Sequence, residues 1–493
     1  MNPLKILFVS SEVAPFAKTG GLADVSSSLP EALVSLGHQV KVVMPLYRSV
    51  EEGDLPLDPL KNTLEVPFQK GSLKAKVFLR KKKRGLWVYF IKRDEFFDRR
   101  GLYGTPAGDY FDNPDRFIFF SRAALNLSQL INFQPDIIHC HDWQTALIPV
   151  YLRSLYKDDP FYAKSGTVFT IHNLAYQGIF PPRYMEISGL PSELFSIKGL
   201  EYYGKMNFMK GGILFSDIIT TVSKKYAKEI QTPEYGYGLD GVLRDRRECV
   251  LGVLNGVDYS IWNPETDPHI AANYGAENLE GKEKCKHDLM TFFEFKPQHR
   301  TPVIGMISRL ADQKGLDILS QGIKKLLNFD LYLVLLGTGD EKYEKQFSEL
   351  GRKQKNRFGV KIAFDNVLAH KIESGADMFL MPSLYEPCGL NQMYSMRYGT
   401  IPLVRSTGGL DDTVTEFDPE TGEGNGFKFF EYSSQAMLDK IQEALHYYRD
   451  DKIWRQLMNN AMKEDFSWKQ SALKYEDIYK KIVGSGQNRN KTL

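Results

Sequence analysis

Four cysteines in 493 residues, Cys140, Cys249, Cys285 and Cys388, are too few for a disulfide framework, and no Cys-x-x-Cys spacing offers a zinc site. That scarcity points to a reducing setting. No apolar run approaches the roughly 18 to 20 residues of a membrane-spanning helix. The opening Met1-Asn2-Pro3-Leu4-Lys5 enters a strand-like stretch without the apolar segment or cleavage site of a leader. An excess of charge of one sign is also missing. With 63 Lys and Arg against 61 Asp and Glu, the net charge of +2 argues against nucleic acid as a main partner. No internal repeat of about 20 to 50 residues is present. A soluble cytoplasmic protein with neither a membrane nor a nucleic-acid partner is expected.

What is there is an alternation of short apolar runs and helical periodicity, too long for one core. Lys5 to Ser10 reads as a buried strand, Leu22 to Leu36 as a helix with Gly37 at its C′ position, and Gln39 to Met44 as the next strand. Ile137 to Cys140, Thr167 to Ile171, Asp217 to Val222 and Cys249 to Leu254 have the character of buried parallel strands. The second half repeats the grammar: strands at Val303 to Ile307, Leu331 to Leu336, Met378 to Met381 and Ile401 to Val404, with a helix at Gly315 to Leu327. This is the pattern of doubly wound α/β domains, whose ligands sit at strand C-terminal ends. Asn255 to about Arg300 is poor in strand signals and reads as a hinge. The basic run Lys81-Lys82-Lys83-Arg84, between strands at Leu73 to Leu79 and Leu86 to Ile91, reads as a solvated hairpin turn.

Two strand ends carry phosphate-style loops. Lys18-Thr19-Gly20-Gly21-Leu22 follows the first strand, and Ser308-Arg309 to Lys314-Gly315-Leu316 follows Val303 to Ile307. Each combines a cation with a polar loop entering a helix, which sets backbone N–H groups and a helix N-terminus beside an anion. Two such loops far apart in sequence predict two domains serving one phosphate-bearing ligand.

Four further blocks stand in order with these: Ile171-His172-Asn173-Leu174-Ala175-Tyr176-Gln177-Gly178, Leu254-Asn255-Gly256-Val257-Asp258, Pro382-Ser383-Leu384-Tyr385-Glu386-Pro387-Cys388-Gly389-Leu390 and Ser406-Thr407-Gly408-Gly409-Leu410. Together the six blocks resemble the bacterial glycogen synthases and the similar plant starch synthases, collinearly from residue 5 to about residue 470. The resemblance implies an α/β, GT-B type fold of two facing Rossmann-like domains with the active site in the interdomain cleft. Its implied boundaries are 1–255 for an N-terminal, acceptor-side domain of starch synthase catalytic type and 256–300 for the hinge. A C-terminal donor-side domain follows at 301–466, and 467–493 is a helical segment crossing back to the first domain. It further implies a retaining hexosyltransferase of glycogen biosynthesis that moves glucose from ADP-glucose to the non-reducing end of an α-1,4-glucan. UDP-glucose is the alternative donor. A phosphorylase-like enzyme and a non-catalytic glucan-binding protein are the remote alternatives. The second would have lost its charged site residues, and Lys18, His172, Arg309, Lys314 and Glu386 are all present.

By resemblance, Arg309 and Lys314 hold the donor diphosphate, where fixed cations stabilise the developing leaving-group charge. Lys18, Gly20 and Gly21 contact donor phosphate or glucose. His172 sits against the transferred glucose, and Glu386 binds sugar hydroxyls or stabilises positive charge. Gly389 and Leu390 offer N–H groups, Cys388 is a small neighbour of the donor, and Thr407 with Gly408 forms a second phosphate-side loop. Phe364 stacks on the donor base, with core packing as the alternative because the residues around it diverge from the family. Asp142, Trp143, Tyr103, Asn173 and Asn255 line the acceptor side. For Asp24, in the first helical turn, a structural and a glucose-binding role stay equally open. Related glycosyltransferases at large often carry a second Glu eight positions after Glu386; this chain has Tyr394 there. His139-Cys140-His141 resembles a metal cluster but has no further Cys or His pair nearby. No metal and no cofactor are expected, and the preferred mechanism lets the leaving phosphate deprotonate the acceptor.

Overall fold

The computed structural model describes residues 3–82, 85–105, 107–296 and 300–489. It divides into two compact units. The first comprises 1–222, 227–256 and 468–493, the second 223–226 and 257–467.

The first unit is built on a ten-stranded sheet. Its main strands are β1 (Lys5–Val9), β2 (Gln39–Pro45), β3 (Gly71–Lys81), β4 (Trp87–Lys92), β5 (Ile137–His141) and β6 (Gly166–Ile171). A small separate sheet follows, of β7 (Ile179–Phe180), β8 (Glu201–Tyr202) and β9 (Lys205–Asn207), and then β10 (Ile218–Thr221) and β11 (Val250–Gly252). The large sheet runs β11-β10-β6-β5-β1-β2-β4-β3, parallel as far as β4. Ile6, Leu7, Phe8 and Val9 have no exposed surface, because helices cover both faces of a parallel sheet. The strand order reverses between β1 and β5, so the loops after those strands meet where a doubly wound sheet takes its ligands.

β3 and β4 pair antiparallel as the expected hairpin. Lys82 in its turn is not solvated: its Nζ bonds Ser27 at 2.9 Å and Glu31 at 2.5 Å, both on helix α1 (Gly21–Ser35). Lys83 and Arg84 lie outside the described residues. The helix Trp468–Arg489 belongs to this unit and packs on α1. Tyr479 of that helix bonds His139 Nδ1 at 2.7 Å, and Glu476 faces His38 Nε2 at 3.2 Å.

The second unit holds a six-stranded parallel sheet of β12 (Val303–Ile307), β13 (Tyr332–Gly337), β14 (Phe358–Ile362), β15 (Met378–Met381), β16 (Ile401–Arg405) and β17 (Phe427–Phe429). Its order, β14-β13-β12-β15-β16-β17, is the 3-2-1-4-5-6 arrangement of nucleotide-binding folds, with the reversal between β12 and β15. The loops after these two strands hold Arg309, Lys314 and Glu386.

Residues 257–296 pack into this second unit. Lys282, on helix α2 (Glu280–Phe292), is buried and donates to the carbonyls of Ser374 and Tyr398 and to Thr400 Oγ1, at 2.8 to 3.1 Å. Burial pushes its pKa down to about 8. Trp262 stacks between His370 at 3.9 Å and Tyr394 at 4.1 Å. Tyr394 thus has a packing partner that a carboxylate at the same position would lack. Residues 297–299 of the segment read as a hinge lie outside the described residues. Among the described residues, no helix is long and apolar enough to cross a membrane.

Candidate active site

In the first unit, the loops after β1, β5 and β6 bring a set of polar groups together. Glu12, just past β1, is buried and fully engaged. One of its carboxylate oxygens accepts the Thr19 N–H at 2.5 Å. The other accepts the Thr19 hydroxyl at 2.6 Å and the Tyr103 hydroxyl at 2.7 Å. This carboxylate fixes the Lys18-Thr19-Gly20-Gly21 loop. Sequence reasoning missed it; its signal was an acid directly following a buried strand. Gly20 caps α1 without a side-chain hydrogen bond, leaving first-turn N–H groups for an anion. Lys18 Nζ pairs with Asp24 Oδ1 at 2.7 Å.

Asp142 follows β5 with φ of 52°, a conformation uncommon outside glycine, and its Oδ1 accepts the His172 N–H at 2.8 Å. Burial pushes its carboxyl up to about 7, against the lowering effect of N–H bonds from His172 and Asn173. Burial also brings the His172 imidazole down to about 3, so it is neutral across the physiological range.

His172 Nε2 lies 2.9 Å from His141 Nδ1, while His141 Nε2 is buried without a partner. One proton must bridge the pair. Placing it on His141 Nδ1 leaves a bare acceptor buried, whereas the other choice strands an N–H, the rarer outcome in proteins. His172 then carries its own proton on Nδ1, as a donor. His139 is separately engaged, with Thr170 Oγ1 at 2.6 Å and Tyr479.

Tyr103 and Asn173 join this group, the latter closing an Asx turn to the Ala175 N–H at 3.1 Å. Asn255 is buried. Trp143, 8% exposed, packs against Phe117, Phe180 and Phe208, with centroids 4.9 to 6.3 Å away.

In the second unit, Arg309 is exposed just after β12, with Nη2 3.2 Å from Gln313 Oε1. Lys314 Nζ bonds Glu386 Oε2 at 2.6 Å, and Ser383 Oγ donates to the same oxygen at 3.1 Å. The Glu386 carbonyl accepts the Gly409 N–H at 3.0 Å. Gly408 (φ 45°) approaches so closely that an added Cβ would lie 1.9 Å from that carbonyl oxygen, so only glycine fits. Thr407 and Cys388 are buried beside this contact, and Gly389-Leu390 lead into helix α3 (Asn391–Arg397). Phe364, beyond the end of β14, is 88% exposed, which excludes a core role. Among the described residues, no group of three or more His, Cys, Asp or Glu side chains is arranged to hold a metal ion.

Residues 5–245 match the starch synthase catalytic domain family, and residues 290–463 match glycosyl transferases group 1. Glycogen synthase of Koribacter versatilis is 50% identical over 478 residues, covering 97% of this chain and 98% of that protein. The chain belongs to the glycogen and starch synthase family. It is accordingly a glycosyltransferase of the GT-B fold. Glycogen synthase of Thermotoga maritima is 48% identical over 486 residues, with 97% of this chain and 99% of that one covered. Among solved structures, the catalytic domain of starch synthase IV from Arabidopsis thaliana, bound to ADP and acarbose, matches with a TM-score of 0.90. It is 35% identical and covers 98% of this chain and 100% of its own. Sucrose-phosphate synthase from Thermosynechococcus elongatus shares the fold, with a TM-score of 0.61 at 15% identity over 97% of this chain and 99% of its own.

Proposed function

We propose that this family member transfers glucose from ADP-glucose to the non-reducing 4-OH of an α-1,4-glucan with retention of configuration. The observation that carries the reading is the second unit's strand-end cluster: exposed Arg309 beside a Lys314 held by buried Glu386, over a loop contact that only glycine allows. Two fixed cations there suit a diphosphate leaving group, Arg as a fork and Lys as a point charge. Exposed Phe364 suits stacking on the donor base. The ADP bound to the Arabidopsis relative supports an adenine donor, and its acarbose supports a glucan-like acceptor.

In the first unit, neutral His172 donates from Nδ1 to a glucosyl hydroxyl. Asp142, Asn173 and Tyr103 contribute further polar groups toward the sugars, and Lys18 contributes charge to the donor. The bond from C1 to the β-phosphate oxygen breaks as the acceptor 4-OH oxygen bonds C1 on the same face. The acceptor proton passes to the departing phosphate. Glu386, already committed to Lys314, acts by orienting that cation. Parallel assays with ADP-glucose and UDP-glucose on glycogen test the assignment. Faster transfer from ADP-glucose is expected, and UDP-glucose preference or no transfer from either would overturn it.

A further inference from the structure

Arg116 heads the apolar run Phe117-Ile118-Phe119-Phe120 on the helix Asn113–Leu130 and, like that run, has no exposed surface. A buried guanidinium is costly unless its charge is paired and its N–H groups are satisfied. Among the described residues no carboxylate lies within ion-pair distance of it. Asp112, close by in sequence, is taken by Arg99 at 2.5 and 2.7 Å.

What holds Arg116 is the segment 96–113. Its Nε donates to the Phe96 carbonyl at 2.6 Å, its Nη2 to the Leu102 carbonyl at 2.9 Å and its Nη1 to Asn113 Oδ1 at 2.6 Å. The rings of Phe97, Tyr110 and Phe117 stand 5.2 to 5.4 Å from the charge. Buried Asn113 continues the run of bonds: its Nδ2 donates to the Tyr103 carbonyl at 2.9 Å. The consecutive carbonyls of Leu102 and Tyr103 are thus gripped together. At the other end of Tyr103, the hydroxyl donates to Glu12 at 2.7 Å, since a carboxylate only accepts, and its second contact, at 2.8 Å, is donated by Ser11 Oγ. Glu12 in turn receives the N–H and hydroxyl of Thr19. An unbroken run of bonds therefore leads from Arg116 to the loop that carries Lys18.

We propose that Arg116 and Asn113 are positioning residues for transfer: through Tyr103 and Glu12 they set the Lys18-Thr19-Gly20-Gly21 loop for the donor. The inference rests on the function proposed above. A purely structural role at Arg116 would be filled as well by an apolar side chain of similar volume, which buries no charge. A guanidinium instead directs its N–H groups in one plane, and that fixes two carbonyls and an amide in register.

The test uses the full chain and Asn113→Asp, with hydrogen exchange of the Thr19 amide and kcat/KM for ADP-glucose as readouts. Aspartate keeps the acceptor for Arg116, adds an ion pair to it and suits the first turn of a helix, so thermal stability should hold or rise. It also turns the donor facing the Tyr103 carbonyl into a second acceptor, which breaks the run at that one point. We expect Thr19 exchange to quicken by roughly tenfold and kcat/KM to fall by roughly tenfold to a hundredfold. Tyr103→Phe, which removes the hydroxyl, should give the same pair of changes, and Asn113→Asp should add little to it, because members of one bonded run are not additive. Arg116→Lys keeps the charge without the fork and should show both changes together with a loss of stability. Unchanged Thr19 exchange in a stable Asn113→Asp variant would overturn the proposal, and so would losses that add in full to those of Tyr103→Phe. A wild-type protein whose Thr19 amide is protected through this run, but which transfers glucose from neither donor, would sink the proposed function and leave the coupling of Arg116 to the Lys18 loop standing.

Discussion

The two units solve different electrostatic problems. Around Asp142 and His172 the first unit suppresses charge: burial holds the imidazole neutral and keeps the carboxyl half-protonated near pH 7. The second unit displays charge, with exposed Arg309 and a Lys314 steadied by one buried carboxylate. A neutral, hydrogen-bonding surface suits sugar hydroxyls, and fixed cations suit phosphate. The contrast supports the proposal that hydroxyl recognition falls mainly to the first unit and leaving-group charge mainly to the second, with Lys18 the first unit's one contribution to the donor.

The sharpest way to break that contrast is to remove the cations. Arg309→Ala and Lys314→Ala should each lower kcat on glycogen by about a hundredfold to a thousandfold, the usual cost of one preorganised charge contact. Glycogen binding should change little. Near-normal turnover of either variant at saturating ADP-glucose would remove its diphosphate role.

A smaller effect is expected from the partner that orients His172. His141→Leu removes the Nδ1–H and should cost on the order of tenfold in kcat, whereas His141→Asn, which keeps a donor at that point, should recover most of it. Equal losses would mean that His141 only packs.

The pH profile should separate the groups further. With Asp142 raised to about 7, its carboxylate forms as pH rises through 7, so kcat/KM should climb there and the limb should vanish in Asp142→Asn. No limb from His172 should show between pH 5 and 8, since it titrates at about 3. The sign for stability is opposite. A carboxyl raised in the fold favours folding at low pH, and that contribution fades as pH rises from about 4 through 7.

The smallest expected effect is none. With Lys18, Arg309 and Lys314 supplying positive charge, exhaustive EDTA treatment should leave turnover unchanged. Restoration of a chelation-sensitive activity by magnesium would contradict this.

These differences also decided what the sequence could disclose. Strands such as Ile6–Val9 and Val303–Ile307 announce themselves, because both faces are buried and the run is unbroken. Arg309, Lys314 and Gly408 stand out in the sequence because a phosphate-style loop is a local device of cations and glycines. Glu12 does not, since its role depends on Tyr103 arriving from 91 residues away. The packing of Trp143 was hidden for the complementary reason: a Trp beside a polar motif does not disclose that Phe117 and Phe208 lie against it. The segment after Asn255, poor in strand signals, is held by buried Lys282 and the Trp262 stack, long-range contacts that no composition reveals.

The central claim is the division between a hydroxyl-reading unit and a phosphate-holding one, and calorimetric titration with ADP tests it most directly. ADP carries the diphosphate and base but no glucose. Its affinity should collapse in Arg309→Ala and Lys314→Ala and stay near the wild-type value in His172→Asn and Asp142→Asn. If ADP binding instead failed in the His172 and Asp142 variants while the cation variants bound normally, the division drawn here would be wrong.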